Sequence, residues 1–356
     1  METTEQLFPW LELMDRPAFC AKGGAVIACN TAAQNRTVRV GVDINEIVTE
    51  QQDIYQNFSD GCLYLTITVG GLPCNASVNR TKDYDIFVLE QDSNADQLQA
   101  LALAAQQLRI PLSNVMTVAD HLLSDLDSKD AQTQQQVGQL QHGLFQLLRL
   151  ISNMSDTGSY QKMPYTDMQL VNLTAVFREI IEKAQTVSER TGVILVYTEP
   201  DEVVLGLAES EKLERAVYNI LSNALKFAPV GSTVEAKLSC NHNRLAFTVC
   251  NTCEEPLQEH PFWNRYRREP SIEDGRHGLG LGMTLIGAVA AAHGGTVLID
   301  HPDSKSTRVT MTIAITKDNS NTVRSPIMRI GDYAGGRDKA LLEFADFLPT
   351  DAYDKI

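Results

Sequence analysis

Leu101, Ala105, Leu108, Leu112, Val115, Ala119, Leu122 and Leu126 recur at alternating steps of four and three residues. That spacing puts a line of apolar side chains along one side of an α-helix, the pattern of a helix built to lie against other helices. Val137, Leu140, Leu144, Leu147, Ile151 and Met154 repeat it. The connector Asp127-Ser-Lys-Asp130 is short and polar, so the two helices are expected to fold back as an antiparallel hairpin. One hairpin covers half of its seam. A second copy closes a four-helix bundle, which predicts a homodimer through residues 93–158. Pro111 lies inside the first seam, where it removes a backbone hydrogen bond and crowds the carbonyl of Gln107, so a kink or local loosening is expected there. Such a weak point either transmits bending or is simply tolerated.

At 356 residues the chain exceeds the roughly 250 residues that one core organises well, and two or three domains are expected. Residues 1–92 read as a small α/β unit. Ala25-Val-Ile-Ala28, the alternating run from Leu63 to Val69 and Asp85-Ile-Phe-Val-Leu89 have strand character, and Gly70-Gly71 interrupts the second. A third unit is expected over residues 159–318. It shows a helix at 170–191, strands at 193–197 and 203–205, a helix at 210–227, a hairpin joining 234–238 to 245–249, a helix at 281–293 and a strand at 308–315. That mixture predicts an α/β sandwich with helices on one face of a sheet, within a multidomain α+β chain. Residues 319–356 read as a polar tail with a helical patch at 338–347.

A formal net charge of −15 repels nucleic-acid phosphate and anionic lipid, and no block of Lys and Arg offsets it. No apolar run approaches the roughly 18 to 20 residues that cross a bilayer, and Met1 to Trp10 lacks a basic segment followed by an apolar one. The expectations are no nucleic-acid partner, no membrane insertion and a cytoplasmic location. Seven cysteines, an odd number, do not make a disulfide framework. Cys250 and Cys253 form a lone CxxC without a second pair at zinc-ligand spacing, so strand-end residues are favoured over a metal or redox pair.

Two strings carry chemistry. In Glu214-Arg-Ala-Val-Tyr-Asn-Ile-Leu-Ser-Asn-Ala-Leu-Lys-Phe227, Asn219, Asn223 and Lys226 share one face of a helix, opposite an apolar stripe of Val217, Ile220, Leu221 and Leu225. Carboxamide oxygens suit Mg²⁺ and an ammonium suits a phosphate oxygen, although the same face could be merely solvated. In Asp274-Gly-Arg-His-Gly-Leu-Gly-Leu-Gly-Met-Thr-Leu285, Gly278, Gly280 and Gly282 alternate just before an apolar helix that ends in His-Gly-Gly. Backbone amides there can approach and donate to phosphate.

Together these strings resemble the ATP-binding domain of sensor histidine kinases, a Bergerat-type fold, and the resemblance extends over roughly residues 95–317 when the helical hairpin is counted as the dimerisation and phosphotransfer unit. The stretch from Pro17 to Ala33, a hairpin leading to an Asn and a small-residue helix, resembles the opening of a PAS sensor domain; a ligand-binding and a purely dimerising role both remain open. The resemblance implies ATP and Mg²⁺ as cofactors, with Asn219 and Asn223 at the metal, Lys226 at the phosphates and Gly278, Gly280 and Gly282 cradling them. It also implies a mobile lid that includes Phe262-Trp-Asn-Arg-Tyr-Arg267, and a response regulator or partner kinase as the protein that listens.

Two departures alter the expected function. Where the family carries an adenine-binding Asp followed by two glycines, this chain has Asn251-Thr-Cys-Glu-Glu-Pro256: Asn251 retains a carbonyl acceptor, and Cys253 and Glu255 replace the glycines. Where the family carries a phosphoacceptor His and an acidic neighbour before Leu-Arg-x-Pro-Leu, this chain has Gln106 and Gln107. An imidazole nitrogen is nucleophilic near neutral pH; an amide lone pair is held in resonance. His121, roughly four turns further on, and His142 are read as surface histidines rather than substitute acceptors. Three functions follow: a pseudokinase that binds ATP and Mg²⁺ weakly and signals by conformation, a kinase or phosphatase acting in trans on a response regulator or a partner's His, and a non-enzymatic dimeric scaffold with a vestigial ATP site.

Overall fold

The computed structural model describes residues 8–14, 16–89, 94–124, 131–160, 168–241, 243–253, 281–315 and 333–353. The first unit opens with strands β1 (Ala18–Lys22) and β2 (Ala25–Cys29), joined at Gly23-Gly24 with φ of 60° and 83°. A two-residue hairpin with the right-handed strand twist needs those left-handed values at both positions, and glycine takes them without strain. Asn30 then ties the hairpin to its surroundings. Only 1% exposed, it accepts hydrogen bonds from the N–H groups of Ala18 and Ala33 and donates to the carbonyls of Leu11, Met14 and Arg16. One carboxamide thereby caps helix α1 (Thr31–Asn35) and anchors the turn of 3-10 helix at Pro9–Leu13.

Short helices α2 (Ile44–Ile47) and α3 (Gln52–Asn57) lead to strands β3 (Gly61–Val69), β4 (Leu72–Arg80) and β5 (Asp85–Leu89). β4 is poor in β-branched and aromatic residues, with Pro73, Asn75, Ser77 and Asn79 in it, and is held by antiparallel pairing along the whole of β3. The core of this unit is filled by Phe19 stacked on Phe87 at 4.5 Å, with Val26, Leu63, Leu65, Ile67 and Val78 around them.

Helices α4 (Asn94–Ser124) and α5 (Ala131–Tyr160) form the expected hairpin. α4 continues through Pro111, so the proline does not break it. The heptad line divides in two. Ala105, Leu112 and Ala119, joined by Met116, are buried, as are Leu144 and Ile151 on α5; Leu108, Val115 and Leu122, with Leu140 and Leu147, are exposed.

The third unit runs β6 (Gln169–Asn172), α6 (Leu173–Ser188), β7 (Ile194–Thr198), β8 (Leu205–Ala208), α7 (Ser210–Phe227), β9 (Thr233–Asn241), β10 (Arg244–Thr252), α8 (Leu281–Ala292), β11 (Val297–Asp300) and β12 (Ser306–Ala314). The helix expected from 170 starts three residues later because Asn172 accepts from the N–H of Ala175 and caps it there, leaving β6 to pair with β8. That pairing also moves the strand expected at 203–205 on to Leu205–Ala208.

The expected polar tail is a correction. Where described, residues 333–353 are part of the main core: Tyr333, Leu342, Phe344, Leu348 and Tyr353 are buried against α5, α6 and α7, and α9 (Lys339–Glu343) lies among them. Its ionic residues hide this in the sequence, since Glu343 is itself fully buried.

The units are also not separate at the level of the sheet. The strands of the first unit, in the order β2-β1-β5-β4-β3, continue without interruption into β11-β12-β10-β9-β7. β3 pairs antiparallel with β11, setting Cys62, Leu63 and Tyr64 opposite Ile299, Leu298 and Val297. Gly61 makes the approach possible, because a Cβ there would stand 2.1 Å from the carbonyl oxygen of Ile299. Buried Gln51 reinforces the joint: its Nε2 donates to the carbonyl of Gly295 and its Oε1 accepts from the N–H of Thr66.

His293 joins the end of α8 to the start of α7. Its Nδ1 lies 2.8 Å from the Val289 carbonyl, so it must donate, and its Nε2 accepts from the backbone N–H of Glu209. Both bonds hold only in the neutral ring, and burial is the largest cause of a pKa held below the usual histidine value. The unfolded chain binds this proton more readily, so the contribution is complete above about pH 6.5 and declines as pH falls below it. Denaturant titrations between pH 7.5 and 5.5 are expected to show stability falling with pH and a flatter slope in His293→Asn. Gly61→Val is expected to open the β3–β11 joint, read as faster amide hydrogen exchange at residues 62–64 and 297–299 with the rest of each unit protected.

Candidate nucleotide-binding site

α7 is an amphipathic helix whose apolar side, Leu213, Val217, Ile220 and Leu221, is buried in the core. The other side presents Asn219, Asn223 and Lys226 as the sequence predicts. Asn219 is 3% exposed, and its Nδ2 donates to the carbonyl of Arg215 one turn earlier. That bond orients the carboxamide oxygen towards α8, where a Cβ on Gly282 would come 3.0 Å from it. Glycine at 282 therefore lets the first turn of α8 close on the Asn219 oxygen. Asn223 is half-buried. The Lys226 side chain is 6% exposed and its Nζ stands 3.7 Å from a carboxylate oxygen of Asp346.

Asn251 is the last residue but one of β10, which packs against α7. It is buried, and its Nδ2 donates to the Thr252 carbonyl at 3.0 Å, which leaves the side-chain oxygen as an acceptor. Cys253 is held beside it through its backbone N–H to the Lys305 carbonyl. The structure thus brings Asn219 and Gly282 together and sets Asn223, Lys226 and Asn251 on the elements around them. Gly278, Gly280 and the aromatic stretch 262–267 lie outside the described residues. Gln106 and Gln107 are exposed on α4, as is His121. His142 is not a surface residue; its Nε2 is 2.7 Å from the Ala345 carbonyl and its ring lies against Tyr353.

Sequence reasoning missed a charge cluster on the same helix. Arg215, 1% exposed, pairs with Glu343 and donates to Asn153 of α5, with its guanidinium 4.3 Å from the centre of the Tyr333 ring. Arg149 of α5 donates to the Ser222 hydroxyl of α7 at 2.8 Å and pairs with Asp346 at 2.5 Å and Glu343 at 3.5 Å. Burial pulls the pKa of Arg149 down, and the Asp346 carboxylate opposes that shift. Lys339 pairs with Glu214 and Arg337 with Asp120. The available signal was an arginine inside each of two apolar helix stripes, which demands a buried carboxylate from elsewhere. Among the described residues no group of His, Cys, Asp and Glu could hold a metal ion, and no helix is long and apolar enough to cross a membrane.

Residues 208–317 match the model of the histidine kinase-, DNA gyrase B- and HSP90-like ATPases. The chain is 26% identical over 230 residues to sensor histidine kinase CusS of Escherichia coli O6:H1, covering 63% of this chain and 45% of that protein. It is 24% identical over 216 residues to sensor histidine kinase YcbM of Bacillus subtilis, covering 59% and 68% respectively. It spans less than half the length of the first curated relatives that it matches. Among solved structures, full-length ShkA in complex with AMPPNP is similar with a TM-score of 0.48 and 20% identity, over 62% of this chain and 46% of that one. Residues 208–317 thus carry a domain of the histidine kinase-, DNA gyrase B- and HSP90-like ATPase type, and over about three-fifths of its length the chain is similar to sensor histidine kinases.

Proposed function

We propose that this protein is a dimeric, cytoplasmic signalling component of two-component type that binds Mg-ATP and passes its signal by conformation instead of by a phosphohistidine of its own. The observation that carries the reading is the contrast between two helices: α7 presents Asn219 against Gly282, while α4 carries Gln106 and Gln107, two carboxamides, where a nucleophile is needed. A carboxamide nitrogen has no free lone pair to attack a phosphoryl group.

The residues present fit the nucleotide. Asn219 and Asn223 offer carboxamide oxygens to Mg²⁺, which keeps several waters and spans phosphates; Lys226 offers an ammonium to those phosphates, and Gly278, Gly280 and Gly282 bare amides to them. The acceptor oxygen of Asn251 suits an adenine amino group. The first unit is read as a PAS-like sensor, supported by its strand order β2-β1-β5-β4-β3 and the short helices between β2 and β3. The output is received by a response regulator or a partner kinase. A homodimer through residues 93–158 is supported by the exposed half of the heptad line, Leu108, Val115 and Leu122 with Leu140 and Leu147. Replacement of the family's Asp by Asn251 favours a second reading, a scaffold with a vestigial ATP site.

Calorimetric titration with a nonhydrolysable Mg-ATP analogue decides between the two readings: binding that is lost in Asn223→Ala and Gly280→Val supports the first, and no binding at millimolar ligand leaves the scaffold. With ATP labelled on its terminal phosphate, no acid-labile, base-stable label is expected on the chain; label on any of its histidines sinks the pseudokinase reading. Val115→Asp with Leu122→Asp is expected to give a monomer in sedimentation at concentrations where the unaltered chain is a dimer, and an unaltered chain that is already monomeric removes the bundle.

A further inference from the structure

The C-terminal residues 333–353 touch both the helical hairpin and the ATPase unit. On the hairpin, the Ala345 carbonyl meets His142 and Gln146, Tyr353 lies 5.1 Å from Phe145, and Arg337 pairs with Asp120. On α7, Phe344 meets the Tyr218 ring edge-on, Glu343 pairs with Arg215, and Lys339 pairs with Glu214. Between the two stands Asp346. Its carboxylate is 2.5 Å from Arg149 of the hairpin and 3.7 Å from Lys226, the cation of the Asn219, Asn223, Lys226 face. Lys226 is thus beside a carboxylate where the nucleotide reading needs it beside a phosphate.

We propose that residues 333–353 are an autoinhibitory latch: they clamp the ATPase unit to the helical hairpin, and Asp346 competes with nucleotide phosphate for Lys226. The proposal rests on the reading that this domain takes Mg-ATP. Two anions cannot share one ammonium at short range without mutual repulsion, so phosphate binding weakens the hold of Asp346 and a seated Asp346 weakens phosphate binding. The coupling is reciprocal: nucleotide loosens the clamp on the hairpin, and a partner that draws the latch away raises nucleotide affinity. The helices then feel nucleotide without any phosphoryl transfer.

Asp346 lies at the solvent edge of the cluster, its side chain 27% exposed; Glu343 stays in place to pair with Arg215 and Arg149 and an asparagine oxygen can still accept from Arg149, so Asp346→Asn is expected to lower stability but keep the fold, checked by denaturant titration beside the binding measurement. In the full chain, Asp346→Asn is expected to bind the nonhydrolysable Mg-ATP analogue about tenfold more tightly, the scale of one partly buried charge pair. Lys339→Gln, which releases the latch from Glu214 without touching Lys226, is expected to move affinity the same way by a smaller factor. In the unaltered chain, saturating analogue is expected to speed amide exchange across residues 339–353. Equal affinity in the unaltered and Asp346→Asn chains, or exchange in that segment unmoved by saturating ligand, overturns the latch and leaves the nucleotide reading standing. No binding by any of the three chains overturns both.

Discussion

Two buried arginines hold the molecule together. Arg149 on the hairpin and Arg215 on the helix of the nucleotide site both meet Glu343, a carboxylate from the end of the chain with no exposure. A guanidinium moved out of water loses several kcal/mol of hydration unless a carboxylate and further donors or acceptors replace it, and removing one member of such a set costs about 3–5 kcal/mol. The helical hairpin, the ATPase unit and the C-terminal segment are therefore mutually required. Loosening any one of them exposes charge to an apolar interior, so the clamp yields only when another interaction compensates.

A second constraint acts at the joint between the two halves of the sheet. The β3 edge of the first unit is closed by β11, which follows directly on α8, the helix whose first turn carries Gly282. An edge strand left open presents unpaired N–H and C=O groups; here they are satisfied by the neighbouring unit and by Gln51 reaching Gly295. One strand pair and one buried side chain thus join the first unit to the residues that follow α8. The hairpin lies at the opposite boundary of the same domain, through α5 and the C-terminal segment. The Asn219–Gly282 contact lies in the unit that these two joints bound.

The polar face of α7 was legible because helical spacing alone aligns Asn219, Asn223 and Lys226, and because three alternating glycines have few other uses than close approach. The hairpin was legible for a similar reason: a period of four and three is a property of the helix itself. β4 was not, because its alternating Cys74, Ala76 and Val78 are mostly small, are separated by Asn75, Ser77 and Asn79 and follow Pro73, a weak signal that becomes a strand beside β3. Nor was the C-terminal segment, whose charges lowered its apparent hydrophobicity while serving as the partners of arginines more than a hundred residues away.

Local periodicity and residue chemistry in the sequence by themselves determined the helical hairpin, the helix whose polar face aligns Asn219, Asn223 and Lys226, and the absence of an imidazole at position 106, since each depends on residues within a few turns of one another. Only the tertiary structure decided that the first unit shares its sheet with the ATPase unit, that half of the heptad line faces inward, and that Asp346 stands beside Lys226. Those outcomes join residues far apart in the chain, and the burial of charge and the pairing of strand edges that select them are energies of the assembled core, which no local stretch of sequence contains.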